Sequence, residues 1–357
     1  MTTPAEPPRP VYPPKPAPGD RIAVVSPSAG LPELFPLPYE LGLARLRTMF
    51  HLEPVEYPTT RTMGASPRRR AEDLHAAFAD PTVKAVMASI GGDDQITVLP
   101  FLDRELIRAH PKPFFGFSDN TTLHAFLWRT GIVSFHGASV MCELGRPGAM
   151  AARTADSLRA ALFIPGPYEL VPADRFRTVD VPWDDPASFT AEPQTEPGGG
   201  WLWHLPGATA QVVEGRSWGG NLEVLSWLLM ADREIAPDPA AYDGHVLFLE
   251  TSEDLPSAVE VFRVLRNMGE RGLLGRFAAL IMGRPKTWSF EQRNTPEERA
   301  RYAREQREAV LRALAAYAPD TMAVFDVDLG HTDPQYVIPY GGVVRVDGQA
   351  RRITVTY

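Results

Sequence analysis

Short, wholly apolar runs that close on glycine or serine alternate with longer segments of helical spacing through the first 140 residues, and few folds accommodate that order. "RIAVVSPSAG" reads as a buried strand stopping in a turn, and "YELGLARLRTMF" as a helix. "PRRRAEDLHAAFAD" is a charged-faced helix, "VKAVMASIGG" a buried strand ending on Gly91 and Gly92, and "ITVLPFLDREL" the next helical segment. "KPFFGF", the helix after it and the short strand "IVSFHG" continue the series. Strands separated by helices pair in parallel, so the pattern predicts an α/β fold. Its doubly wound parallel sheet would be covered on both faces, with functional residues at the strands' carboxyl ends.

At 357 residues the chain exceeds what one core usually serves, which predicts two domains. Residues 1–18 are proline-rich and poor in apolar side chains, and read as an extended or mobile arm. The α/β domain is expected over 19–145. From 146 to 204 the periodicity weakens: "VPADRFRTVDVPWDDPASFTAEPQTEPGGG" is dense in Pro, Asp and Gly and reads as a long connection. A second, β-rich domain is expected over 205–357. It contains the strand "HVLFLE", the helix "SAVEVFRVLRNMGERGLL", the strand "FAALIMG", an exposed helix from Pro296 to Tyr317, and a terminal strand pair turned at Asp347-Gly348.

The formal net charge of -8 leaves no electrostatic footprint for nucleic acid or an anionic membrane, and no apolar run is long enough to span one. Cys142 is the single cysteine, so no internal disulfide can form. The opening residues lack the apolar centre of a signal peptide, which predicts a cytoplasmic protein. No His-Glu-x-x-His, cysteine pair or His/Asp cluster has metal-ligand spacing, and the glycine runs match neither a Walker A loop nor the dinucleotide fingerprint. Neither metal nor cofactor is expected. Asp326 and Asp328 in "DVD" read as a solvated strand edge.

Within "KPFFGFSDNTTLHAF", Ser118 stands where an apolar strand gives way to a helix. The Ser-Asp-Asn run would cap that helix, and this alone could explain it. The same position also suits a nucleophile, held clear of its neighbours on a sharp turn with backbone N–H groups beside it. Asn120 stands where a G-x-S-x-G elbow would have glycine, which disfavours the ordinary α/β-hydrolase fold. Glu250 ends the apolar strand "HVLFLE", and His331 lies in the loop "DLGHTDPQ" after another. His51, His75, His110 and His124 lie in or beside helical segments. A serine, a carboxylate and a histidine at three strand ends could form a triad in the order Ser, Glu, His.

Six motifs in order resemble the LD-carboxypeptidase family of serine peptidases: "GDRIAVVSPSAG", "DPTVKAVMASIGGDD", "FFGFSDNTTLHAF", "WGGNLEVLSWLL", "LFLETSEDLPS" and "DLGHTDPQYVIPYGG". "IGGDD", "LETSE" and "GHTDP" are similar to the branch that confers microcin C immunity, more than to the muropeptide-trimming branch. The resemblance implies a Rossmann- or flavodoxin-like N-terminal domain joined to a smaller β-rich C-terminal domain. It implies Ser118 as nucleophile, His331 as general base and Glu250 as its orienting group; as a base that must be neutral to act, His331 is expected to titrate near ~7. It further implies an oxyanion hole from the N–H groups of Gly92 and Asp119, a substrate-binding Asn221, and a homodimer.

Trp183 lies between acidic residues in the long connection, where it either anchors the loop or, as the resemblance implies, stacks on the adenine of an aminoacyl nucleotide. The expected activity is hydrolysis of the amide in peptidyl or aminoacyl nucleotides, as self-immunity or detoxification. Removal of a terminal D-residue from muropeptides is the second reading, and a non-catalytic binder of small ligands the third.

Overall fold

The computed structural model of the protein describes residues 10–207 and 211–357; residues 1–9 of the proline-rich arm lie outside these. From residue 10 the arm is bound. Val11 N–H donates to Gly131 O at 2.8 Å, Val133 N–H to Val11 O at 2.9 Å, and Val343 N–H to the Tyr12 hydroxyl oxygen at 2.7 Å.

The first five strands are β1 (Arg21–Val25), β2 (Glu53–Glu56), β3 (Val83–Ala88), β4 (Phe114–Gly116) and β5 (Ser134–His136). All are parallel, in the order β5-β4-β3-β1-β2. Their apolar runs are buried along almost their whole length in β1, β3, β4 and β5, as strands covered on both faces require. Between them run α1 (Pro36–Met49), α2 (Pro67–Ala79), α3 (Arg104–Ala109) and α4 (Thr121–Thr130). "ITVLPFLDREL" is not one helix. Pro100 cannot extend a helix from Ile96, so the segment makes two 3-10 turns, and α3 starts afresh at Asp103, whose side chain accepts from Leu106 N–H at 3.0 Å.

The region of weak periodicity hides α5 (Ala152–Phe163) and β6 (Pro167–Leu170). Beyond them, before Leu202, the connection holds a short pair, β7 (Arg175–Phe176) with β8 (Glu196–Pro197), and a 3-10 turn at Pro186–Phe189.

The second sheet begins with β9 (Leu202–His204) and β10 (Val212–Asn221), followed by α6 (Leu222–Ala231), β11 (Val246–Glu250), α7 (Ala258–Glu270), β12 (Ala279–Gly283), α8 (Pro296–Tyr317) and β13 (Met322–Val327). Capping boxes, Ser257 with Glu260 and Thr295 with Glu298, open α7 and α8. Strands β10 to β13 form a parallel centre, and β9 closes one edge antiparallel to β13. After β14 (Ile338–Tyr340), the hairpin β15 (Val343–Asp347) and β16 (Arg352–Thr356) extends the other edge, with β6 outermost. By strand count this sheet is the larger, eight against six. β14 does not join it: it pairs antiparallel with β5 in the first sheet, Ile338 opposite His136.

Asp326 and Asp328 are not a solvated edge. Both are buried, because the end of β13 faces the long connection and α8 rather than water. Arg307 lies 2.8 Å from Asp326 Oδ2 and Arg284 3.3 Å from Asp328 Oδ1, while Trp201 Nε1 and Ala173 N–H donate to Asp328 Oδ2 at 3.0 and 2.9 Å. Among the described residues no helix is long and apolar enough to cross a membrane. α4 packs against α6 and β10, so the two sheets meet along the helix that follows Ser118.

Candidate active site

Phe117 leaves β4 fully extended, and Ser118 then turns the chain with φ of 62°, a left-handed conformation that costs a serine about 1–3 kcal/mol. A 3-10 turn, Ser118–Asn120, leads directly into α4. Ser118 is partly exposed while Phe117, Asp119 and Asn120 are buried, so the turn presents one hydroxyl and hides its neighbours. Gly91, just after β3, touches it from behind: a Cβ there would lie 2.8 Å from Ser118 Cβ and 3.0 Å from its Oγ. Only glycine allows that approach. The N–H groups of Gly92, the next residue after Gly91, and of Asp119 donate no hydrogen bond among the described residues.

The histidine and carboxylate come from the second sheet. Glu250 is the last residue of β11, fully buried, and its Oε2 receives His331 Nδ1 at 2.6 Å. Gly330 makes the close pairing possible, since a Cβ at its φ of +83° would fall 2.5 Å from Glu250 Cβ. The loop bearing His331 is fixed from two further sides. Gln335 donates to Gly330 O and accepts from Ala138 N–H, both at 2.5 Å, and Asp333 is ion-paired with Arg146 and Arg177. The ring of Phe117 stands edge-on to His331 at 5.0 Å, which puts the imidazole beside the Ser118 turn. Ser118 Oγ makes no hydrogen bond among the described residues; His331 Nε2 instead faces Glu253 Oε2 at 3.5 Å.

Burial disfavours the charged imidazole, but Glu250, Glu253 and Glu223 outweigh it and hold the His331 pKa up to about 9. Glu223, in the first turn of α6, is pushed up to about 7 by its own burial and by Glu250, although Ser252 donates to it from N–H at 2.8 Å and Oγ at 2.7 Å. The Glu253 carboxylate is largely exposed; what desolvation it suffers would raise its pKa, yet the facing imidazole leaves it below the ordinary value. Neither Glu223 nor Glu253 was singled out in the sequence. Glu253 had a signal, its place three residues after Glu250 in "ETSED". His124 has the structural role expected of a histidine in a helix: its ring nitrogens meet Ser134 Oγ at 2.7 Å and Gly116 O at 2.8 Å, and burial lowers it to about 4.

Asn221 ends β10 opposite Glu250 in the parallel register. Its Oδ1 caps α6 by accepting from Val224 N–H at 3.0 Å, and its buried Nδ2 has no partner among the described residues. Trp183 is half-buried and packs edge-on against Phe35, at the start of α1, with ring centroids 5.8 Å apart. No group of three or more potential metal ligands occurs among the described residues.

The family model for the LD-carboxypeptidase N-terminal domain matches residues 22–137, and that for its C-terminal domain residues 214–346, together more than two thirds of the chain. The chain belongs to the LD-carboxypeptidase family. It is therefore a serine peptidase by family, a hydrolase of the carboxypeptidase type. Among its relatives is the microcin C7 self-immunity protein MccF of Escherichia coli, 24% identical over 81% of this chain and 78% of that one. A Vibrio cholerae protein named as a carboxypeptidase is 26% identical over 90% of this chain and 91% of its own. The solved structure of MccF in complex with aspartyl sulfamoyl adenosine superposes with a TM-score of 0.83 at 22% identity, covering 98% of this chain and 99% of that one, a likeness of fold.

Proposed function

We propose that this LD-carboxypeptidase-family chain is a serine hydrolase using Ser118, His331 and Glu250 to cleave the amide of aminoacyl or peptidyl nucleotides. The observation that carries the reading is the buried Glu250–His331 pair at 2.6 Å beside a serine held at a left-handed φ. With Nδ1–H donated to Glu250, neutral His331 has Nε2 free to accept a proton. Ser118 Oγ attacks the carbonyl carbon as its proton passes to Nε2. The oxygen that gains charge is met by the N–H groups of Gly92 and Asp119. When the C–N bond breaks, the imidazolium returns the proton to the leaving nitrogen, and water then hydrolyses the acyl-enzyme by the same route. Proton transfer needs Ser118 Oγ within hydrogen-bond reach of Nε2, a contact that often tightens only when substrate is bound. In this reading residues 19–145 supply the nucleophile and 205–357 the other two groups.

The nucleotide half of the proposal draws on MccF, whose solved complex holds aspartyl sulfamoyl adenosine, and on Trp183 as a stacking surface. We propose that the enzyme works as a cytoplasmic homodimer in self-immunity or detoxification. The test compares hydrolysis of an aminoacyl sulfamoyl adenylate with that of a murein tetrapeptide by wild type and Ser118→Ala. Cleavage of the adenylate, lost by roughly 10⁶ in kcat without Ser118, is the expected result. Preference for the tetrapeptide would move the assignment to muropeptide trimming, and binding without turnover to a non-catalytic binder.

A further inference from the structure

The turn bearing Ser118 and the loop after β3 are joined by a buried hydrogen-bond network centred on Gln95. Its main-chain N–H donates to Asp119 Oδ2 at 2.8 Å, its Nε2 to Asn120 Oδ1 at 3.0 Å, and its Oε1 accepts from Leu123 N–H at 3.1 Å. One residue thereby grips both residues after the nucleophile and the first turn of α4. Gln95, Asp119 and Asn120 are each at most 2% exposed, so water cannot replace the bonds. A third loop joins through Ser28, after β1, whose hydroxyl donates to the same Asp119 oxygen and lies against Gly92. Asn120 Nδ2 completes the network by donating to Phe117 O at 2.9 Å and Ile90 O at 3.2 Å.

We propose that Gln95 is a positioning residue that fixes the N–H of Gly92 and the N–H of Asp119 on one oxyanion site. These two donors belong to different loops, Gly92 following β3 and Asp119 following β4. Their spacing is set by whatever joins the loops, and Gln95 is three residues from Gly92 and bonded to Asp119 itself. The buried Asp119 carboxylate, raised in pKa by its burial, takes no part in the chemistry and serves as the anchor for Gln95 and Ser28. The inference rests on the proposed nucleophile and oxyanion donors.

The experiment measures Ser118 phosphonylation by a fluorophosphonate, in which Oγ displaces fluoride at phosphorus and the P=O oxygen occupies the oxyanion site. This readout does not require the natural substrate. Loss of one oxyanion donor outright costs roughly 10²–10³ in rate, so loosening two should cost roughly tenfold or more. Gln95→Met, similar in shape, keeps the main-chain bond to Asp119 but loses the side-chain bonds to Asn120 and Leu123 that hold the turn against this loop; it should label at least tenfold more slowly with its melting temperature within a few degrees of wild type. On a cleaved substrate its kcat should fall while KM holds. Should Gln95→Met fail to fold, Ser28→Ala, which deletes one hydroxyl of the network, should slow labelling severalfold. Labelling of the folded variant within twofold of wild type, with Ser118→Ala unlabelled, overturns the positioning role and leaves the nucleophile standing. Wild-type labelling of Ser118→Ala overturns both.

Discussion

Glu253→Gln should raise activity at neutral pH. In the proposed mechanism the His331 imidazole accepts the Ser118 proton, and with its pKa held up to about 9 only about 1% of it would be neutral at pH 7. Glu250 cannot be spared, since it orients the ring, but Glu253 only adds charge opposite Nε2 at 3.5 Å. Its side chain is 57% exposed, so the water end of the Coulomb scale applies, giving about 1 kcal/mol or roughly 0.7 of a pH unit. The acid limb of kcat/KM should therefore lie near 9 in wild type and move down by that amount in Glu253→Gln. At pH 7 this means roughly fivefold higher kcat/KM. Glu223, Glu143 and Asp254, which also feel His331, remain in place in the variant and keep the limb above the ordinary histidine value. The folded pKa lies above the ordinary 6.5, so the charged ring stabilises the fold fully below that value, and the contribution is lost as pH rises through about 9. Rate profiles from pH 6 to 10 on both proteins are the assay. A wild-type limb near 7, or a limb that Glu253→Gln does not move, would refute the reasoning.

Trp183→Ala should weaken recognition of an aminoacyl adenylate by about 1–3 kcal/mol and Trp183→Phe by much less, with the tetrapeptide unaffected. Because Trp183 also packs on Phe35, melting temperatures belong in the same experiment: equal losses on both substrates with a lower melting point would make it an anchor only. Asp328→Ala should cost roughly 3–5 kcal/mol in a denaturant melt, since it strands a nearly buried Arg284 and leaves Trp201 Nε1 without its acceptor; an unchanged midpoint would contradict the burial argument.

The parts of the fold legible in the sequence were those with strong apolar contrast. β1, β3 and β4 are apolar runs interrupted only by Arg21 and Lys84, and α8 spans Pro296 to Tyr317 as its charged face and capping Thr295 indicate. α5 was missed because its buried stripe of Thr154, Ala155, Ser157, Leu158, Ala160, Ala161 and Leu162 has only two large apolar side chains, Leu158 and Leu162. Asp328 was misread because a carboxylate at a strand end looks the same whether it meets water or a buried arginine from 44 residues away. The strand-to-helix turn marked Ser118, and the ends of β11 and β13 marked Glu250 and His331. Glu223, which also raises the charge on His331, could not be found that way, since it lies on a different element.

The path of the chain after His331 limits how far the protein can be taken apart. β13 belongs to the second sheet and β14 to the first, so the histidine loop is a strap sewn into both. A fragment ending before residue 205 would keep Ser118 but lose β14, leaving β5 with a bare row of N–H and C=O groups from Ser134 to His136, an open edge of the kind that recruits foreign strands. The halves are thus not modules that evolution or an engineer can exchange at the connection. A recombined protein inherits a sound first sheet only if the last twenty residues of the chain come from the same parent as the first hundred and forty.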